Sequence, residues 1–171
     1  MNRRNVTQLS VITSLALIFL LGPVLAQQKS LKEQLIGTWI FVSSVDTNKE
    51  GVKSDRWGPN AKGLIIFEAN GRYSFMISRS DIPKFAVNNV NQGTAAKNKA
   101  VVNGITAHFG TWSVDETTKT ITTNVEASSF PNLNGGSQKR VISSLTPDEL
   151  KYTNPSSTTG ATAEVVSKRV R

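Results

Sequence analysis

The sequence contains no cysteine and a single histidine, His108. The first absence excludes disulfides, thiolate metal sites, cysteine nucleophiles and lipid attachment at a cysteine. The second excludes a metal centre built mainly from the histidines of one chain. Catalytic signatures are missing as well: there is no Gly-x-Ser-x-Gly elbow and no His-Glu-x-x-His, and Gly135-Gly136 lacks the lysine and following helix of a phosphate loop. A Ser-His-Asp triad would have to use His108, and no serine stands in a nucleophile context. These absences predict no metal, no cofactor and no catalytic residue of a recognised motif. Charged residues make up only 19% of the 171, against 38% apolar, a balance that suits one folded domain with or without a targeting segment.

Long apolar continuity is confined to the start of the chain. Arg3 and Arg4 precede an apolar stretch over residues 9–21, and Gly22-Pro23 then breaks it just before Val24-Leu25-Ala26. Residues 1–26 therefore read as a secretory signal peptide cleaved before Gln27, which predicts a secreted or periplasmic protein with no stable membrane anchor after cleavage. Residues 27–171 remain as one domain. Taking away the two arginines of the leader lowers the formal net charge from +8 to +6. The remaining cations are dispersed, with one pair at Lys139-Arg140 and one cluster at Lys168-Arg169 and Arg171. Nucleic-acid surfaces concentrate such charge on one element with aromatics interleaved, so the pattern predicts a basic surface and no nucleic-acid partner.

The mature region reads as about eight short strands, over residues 37–45, 63–68, 72–78, 109–114, 119–127, 138–145, 150–153 and 163–170. Hairpin-length connections join most of them, an up-and-down antiparallel pattern. Asn70-Gly71 is the strongest turn signal, because both positions of a two-residue hairpin loop favour positive φ. Taken as that loop, it sets Glu68 opposite Tyr73, Ile66 opposite Phe75 and Leu64 opposite Ile77, on the face expected to point inward. Two long connections, 45–61 and 79–104, interrupt the pattern. The second holds one short helix, capped by Thr94 and running through Ala95-Ala96-Lys97-Asn98-Lys99-Ala100.

Several stretches together resemble the lipocalin-like domain family of bacteria and fungi. They are Leu35-Ile36-Gly37-Thr38-Trp39, Gly58-Pro59-Asn60-Ala61-Lys62-Gly63-Leu64-Ile65, Asn70-Gly71-Arg72-Tyr73-Ser74, Arg79-Ser80-Asp81-Ile82-Pro83-Lys84-Phe85, His108-Phe109-Gly110-Thr111-Trp112-Ser113-Val114-Asp115 and Phe130-Pro131-Asn132. The ordered set is more specific for a fold than for an activity. It implies an all-β, eight-stranded up-and-down antiparallel lipocalin-like barrel with one short helix in a long loop. It also implies a first-strand tryptophan, Trp39, plugging the closed end beneath a last-strand arginine. Arg169 is taken for that arginine, and Arg171 shares its parity.

The interior of such a barrel is filled by side chains or holds one small molecule. Strand parity nominates Phe41, Ser43, Ile66, Tyr73, Phe75, His108 and Trp112 as pocket candidates, with Leu64, Ile77, Val125 and Tyr152 beside them. Arg72 and Arg79 border the hairpin and the long loop, and are candidates for a pocket mouth. The expected function is binding of a small, largely hydrophobic molecule. The alternatives are a cofactor-independent isomerase or cyclase using His108, Glu126 or Glu68 as its acid or base, and a filled barrel that meets a cell-envelope partner.

Overall fold

The computed structural model describes residues 29–171, so the leader expected at 1–26 lies outside the described residues. The alternating segments form β1 (Gly37–Thr47), β2 (Lys53–Ser54), β3 (Lys62–Phe67), β4 (Arg72–Ser78), β5 (Ile105–Asp115), β6 (Thr120–Ser128), β7 (Ser137–Leu145), β8 (Glu149–Asn154) and β9 (Thr162–Arg169). From β3 onward each strand pairs antiparallel with its successor, and β1 closes the ring by pairing with β3 on one side and β9 on the other. Eight strands thus make an up-and-down closed barrel, and β2 is a two-residue addition to the end of β1. Closure satisfies backbone groups that an open sheet would leave along its edges, which suits a chain with no disulfide.

The hairpin between β3 and β4 differs from the sequence expectation by one residue. Gly71 N–H donates to Glu68 O and Glu68 N–H to Arg72 O, so Ala69-Asn70-Gly71 is a three-residue loop ending at Gly71 with φ +84°. A turn followed by a left-handed glycine is the second common hairpin geometry. The extra residue pairs Phe67 with Tyr73 and Ile65 with Phe75. Because strand side chains alternate, the shift turns Ile65 and Phe67 into the core and leaves Ile66 and Leu64 on the outer face. A second correction lies in β1, where the register against β9 slips between Phe41 and Ser43. This bulge reverses the parity beyond it: Ser43 is exposed, while Ser44 and Asp46 turn inward.

Two helices accompany the barrel. α1 (Leu31–Leu35) was not expected, although Ser30-x-x-Glu33 is a capping-box pattern and both of its reciprocal hydrogen bonds form. The Leu31 and Lys32 N–H groups donate to the Glu116 carboxylate in the β5–β6 turn, which fixes α1 across one barrel end. Leu35 enters the core there with no exposed surface. α2 (Ala95–Gly104) is the expected helix, capped by Thr94, and runs directly into β5, which begins four residues earlier than read from the sequence. One core cluster fills the α1 half of the barrel: Leu35, Trp39, Ile65, Phe67, Trp112 and Ile121 belong to it, and Ile142 and Leu150 complete its far side.

Candidate functional site

At the α1 end, Trp39 Nε1 donates to Leu35 O at 2.8 Å, and the guanidinium of Arg169 lies 4.0 Å above the Trp39 ring centroid. Arg169 also donates to the carbonyls of Ile36, Gln34 and Pro147. Cation–π attraction and three charge-assisted hydrogen bonds therefore converge on one arginine and close this end. Gly37 makes the approach feasible: it holds φ +127°, and a Cβ there would stand 2.9 Å from Arg169 Nη1. Arg171 instead pairs with Asp148 at the surface.

The opposite end is different in chemistry. A cavity of about 60 Å³ lies between β1, β4, β5, β7, β8 and β9 and the loops above them. Its wall carries Phe75, Tyr152 and Val165 on the apolar side and Ser44, Asp46, Thr106, His108, Gln138 and Arg140 on the polar side. The 45–61 connection folds over the mouth. Trp57 is 7% exposed there, Arg56 stacks on its ring at 4.3 Å, and Arg56 Nη1 donates to Thr158 Oγ1 at 2.7 Å across the opening. A wider groove of about 680 Å³ runs outside the closed end past Lys29, Gln34, Pro147 and Arg171, but it is open to solvent. The barrel cavity is also partly open at its mouth, but buried side chains wall it, so polar groups there count for more.

His108 sits at the floor of this cavity. Its Nδ1 shares a hydrogen bond of 2.9 Å with Tyr73 Oη, and its ring stacks on Phe75 with centroids 4.7 Å apart. Burial, and then the positive charge of Arg140, push its pKa down to about 3, so the ring is neutral at pH 7. Burial likewise raises the pKa values of Tyr73 and Tyr152, whose phenols keep their protons. A base held this far below the working pH has little driving force for taking a proton. Glu68 is exposed, and Glu126 is held by Arg72 on the outer surface, so neither carboxylate joins the cavity.

Of the residues nominated from sequence, Phe75 and His108 line the cavity and Tyr73 supports it from below. Phe41 is half-buried and outside the lining. Ser43 and Ile66 face outward for the reasons of register given above. Trp112 is buried but belongs to the closed half, donating from Nε1 to Glu68 O at 3.0 Å and packing on Phe67 at 4.7 Å. Its distance along β5 from His108, rather than its parity, removes it from the cavity. Arg72 is not at the mouth, because its pairing with Glu126 lies on the outside of the sheet. Arg79 pairs with Asp81 and donates from Nη1 to the Arg56 carbonyl at 2.9 Å, so it props the flap without facing the cavity.

Sequence reasoning missed Asp46, Arg56, Trp57 and Arg140. In sequence Arg140 reads with Lys139 as surface charge, yet it is 3% exposed. Its parity with Gln138 and Ile142 on β7 was the available signal. Asp46 was hidden by the β1 bulge, and the flap residues by lying in a loop. Among the described residues no group of three or more histidines and carboxylates gathers as a metal site, and no helix is long and apolar enough to cross a membrane.

A family model described as a lipocalin-like domain matches residues 36–170. No curated protein matches the chain in sequence. Among solved structures, the chain is similar to a redesigned beta barrel (12% identity, TM-score 0.44, covering 84% of this chain and 98% of that one). It is also similar to a lipocalin-like protein from Bacteroides uniformis (13% identity, TM-score 0.42, covering 80% and 99%). A third likeness is to bovine odorant binding protein in complex with a selenium-containing odorant (16% identity, TM-score 0.41, covering 84% and 74%).

Proposed function

The chain belongs to the lipocalin-like domain family, and from that premise we propose that it binds a small molecule in the cavity at the open end of its barrel. The ligand is compact, with an apolar body against Phe75, Tyr152 and Val165 and a polar end on the floor. The observation that supports this reading most directly is a cavity walled by buried side chains with a partial cover: Trp57 and Arg56 lie over its mouth through named contacts, while the other half of the barrel is filled. At about 60 Å³ the closed cavity is smaller than the engineered cavity of about 150 Å³ that accepts benzene. Larger ligands must therefore displace the flap. We further propose, from the leader read at residues 1–26, that binding takes place outside the cytoplasm.

The neutral state of His108 favours binding over proton-transfer chemistry at that ring, whose pKa lies far below neutral pH. Thermal melting and tryptophan fluorescence against a panel of small apolar and amphipathic molecules test the proposal. A ligand at ten to a hundred times its Kd stabilises the folded state by about 1.4–2.7 kcal/mol. Trp57 is the tryptophan at the cavity, so the fluorescence response should vanish in Trp57→Phe while the melting shift persists. No melting shift across the panel would leave the barrel as a filled scaffold and sink the proposal.

A further inference from the structure

We propose that the ligand of this cavity is an anion, specifically a small monocarboxylate, and that Arg140 is the residue that receives its charge. The inference rests on the reading of the cavity as a ligand site and adds the chemical class that the site selects. Arg140 projects from β7 into the barrel and is 3% exposed. Its Nη1 donates to Thr123 Oγ1 at 2.8 Å, whereas Nε, fully enclosed, has no hydrogen-bond partner. Among the described residues no carboxylate lies within 4.0 Å of its nitrogens. The rings of Phe75 and Tyr152 stand 5.7 and 5.8 Å from the guanidinium carbon. Aromatic faces soften the cost of the buried charge, but they accept none of the in-plane N–H groups.

The cavity's own acid does not resolve this imbalance. Asp46, 4% exposed, accepts from Ser44 Oγ at 2.9 Å, and its charge opposes the effect of burial on Arg56 at the mouth. The wall thus presents Arg56 and Arg140 against Asp46 alone, an excess of one positive charge with His108 neutral. A buried ion with neither counter-charge nor full hydrogen bonding is costly to the fold and is compensated by a charged partner. One ligand carboxylate in the cavity supplies the missing counter-charge and accepts from the guanidinium of Arg140, which lines the cavity. The side chain of Gln138, on the same wall, is a further donor within the lining.

The test is calorimetric titration of the full chain with acetate, butanoate and hexanoate beside acetamide, butanamide and hexanamide, with inorganic phosphate as a separate arm. Each carboxylate is expected to bind about tenfold or more tightly than its amide. Arg140→Met should abolish that preference, and Arg140→Lys should restore part of it. Because the unliganded charge is a burden on the fold, Arg140→Met is also expected to melt no lower than the native protein. Amides binding as tightly as carboxylates would overturn the inference and leave the ligand-site reading standing; silence of both series would overturn both. Phosphate binding more tightly than every carboxylate overturns the carboxylate assignment. A large fall in melting temperature in Arg140→Met, with the carboxylate preference intact, would make Arg140 a structural residue and also overturn it.

Discussion

Acidification from pH 7 to pH 5 should destabilise this protein through one residue. His108 is neutral in the fold, with a pKa near 3 set first by burial and then by Arg140, while in the unfolded chain it titrates near 6.5. Protons therefore bind the unfolded state preferentially. The stabilisation tied to the neutral ring is fully present above about pH 6.5, declines as the pH falls, and is gone below about pH 3. At pH 5 the two states are separated by about 1.5 pH units of protonation, or about 2 kcal/mol, and the full span amounts to about 5 kcal/mol. For a domain of this size, 2 kcal/mol corresponds to a fall in Tm of about 4–8 °C.

Tyr73, hydrogen-bonded to the ring, keeps its proton through this window because burial raises its pKa, and Arg140 lies close enough to lower the pKa of the ring. The carboxylates with lowered pKa, Glu33, Asp81, Asp115 and Glu126, lose their contributions mainly at lower pH. Urea unfolding of the native protein and of His108→Asn at pH 7, 6 and 5 isolates the effect, because the variant keeps every other group. The native curve should fall by about 2 kcal/mol more than the variant's between pH 7 and 5. The single histidine also gives one imidazole resonance, which should not move over that range. Parallel stability curves, or a resonance titrating near pH 6.5, would refute the account of a buried neutral ring.

Other consequences follow from the closed end and its helix. Gly37→Ala places a Cβ at φ +127° and 2.9 Å from Arg169 Nη1, so it should cost about 3 kcal/mol in urea unfolding through backbone strain and displacement of the arginine. Leu35→Ala empties a site with no exposed surface and should cost about 2–5 kcal/mol, with m unchanged. An effect below about 1 kcal/mol would show that α1 does not plug the barrel. Ser30→Ala removes the cap of α1, for a loss of about 1 kcal/mol, seen as a small fall in Tm.

Much of the barrel was legible because its signals are local. Alternation, turn residues and the order of short strands predict an up-and-down antiparallel sheet, and Thr94 with its alanine-rich run predicts α2. The two errors of register came from single inserted residues. One residue in the Ala69-Asn70-Gly71 loop and one in the β1 bulge each reverse a strand's faces, and with them the placement of Ile66 and Ser43. Periodicity over six residues does not register such an insertion, since the pattern reads equally well on either side of it.

By itself the sequence determined a cysteine-free chain of up-and-down antiparallel strands, because patterning and turn residues are properties of neighbouring residues, while the closed barrel with Trp39 as its plug is what the resemblance to the lipocalin-like family implies. The tertiary structure alone decided where charge lies. The inward turn of β7 enclosed Arg140 beside His108, far from it in the chain, whereas Arg169 lies over Trp39 as the resemblance implies. A net charge summed over the sequence counts a cation in water and a cation inside a barrel alike. Burial separates them, because only the enclosed one must find its partner in a ligand or in the fold.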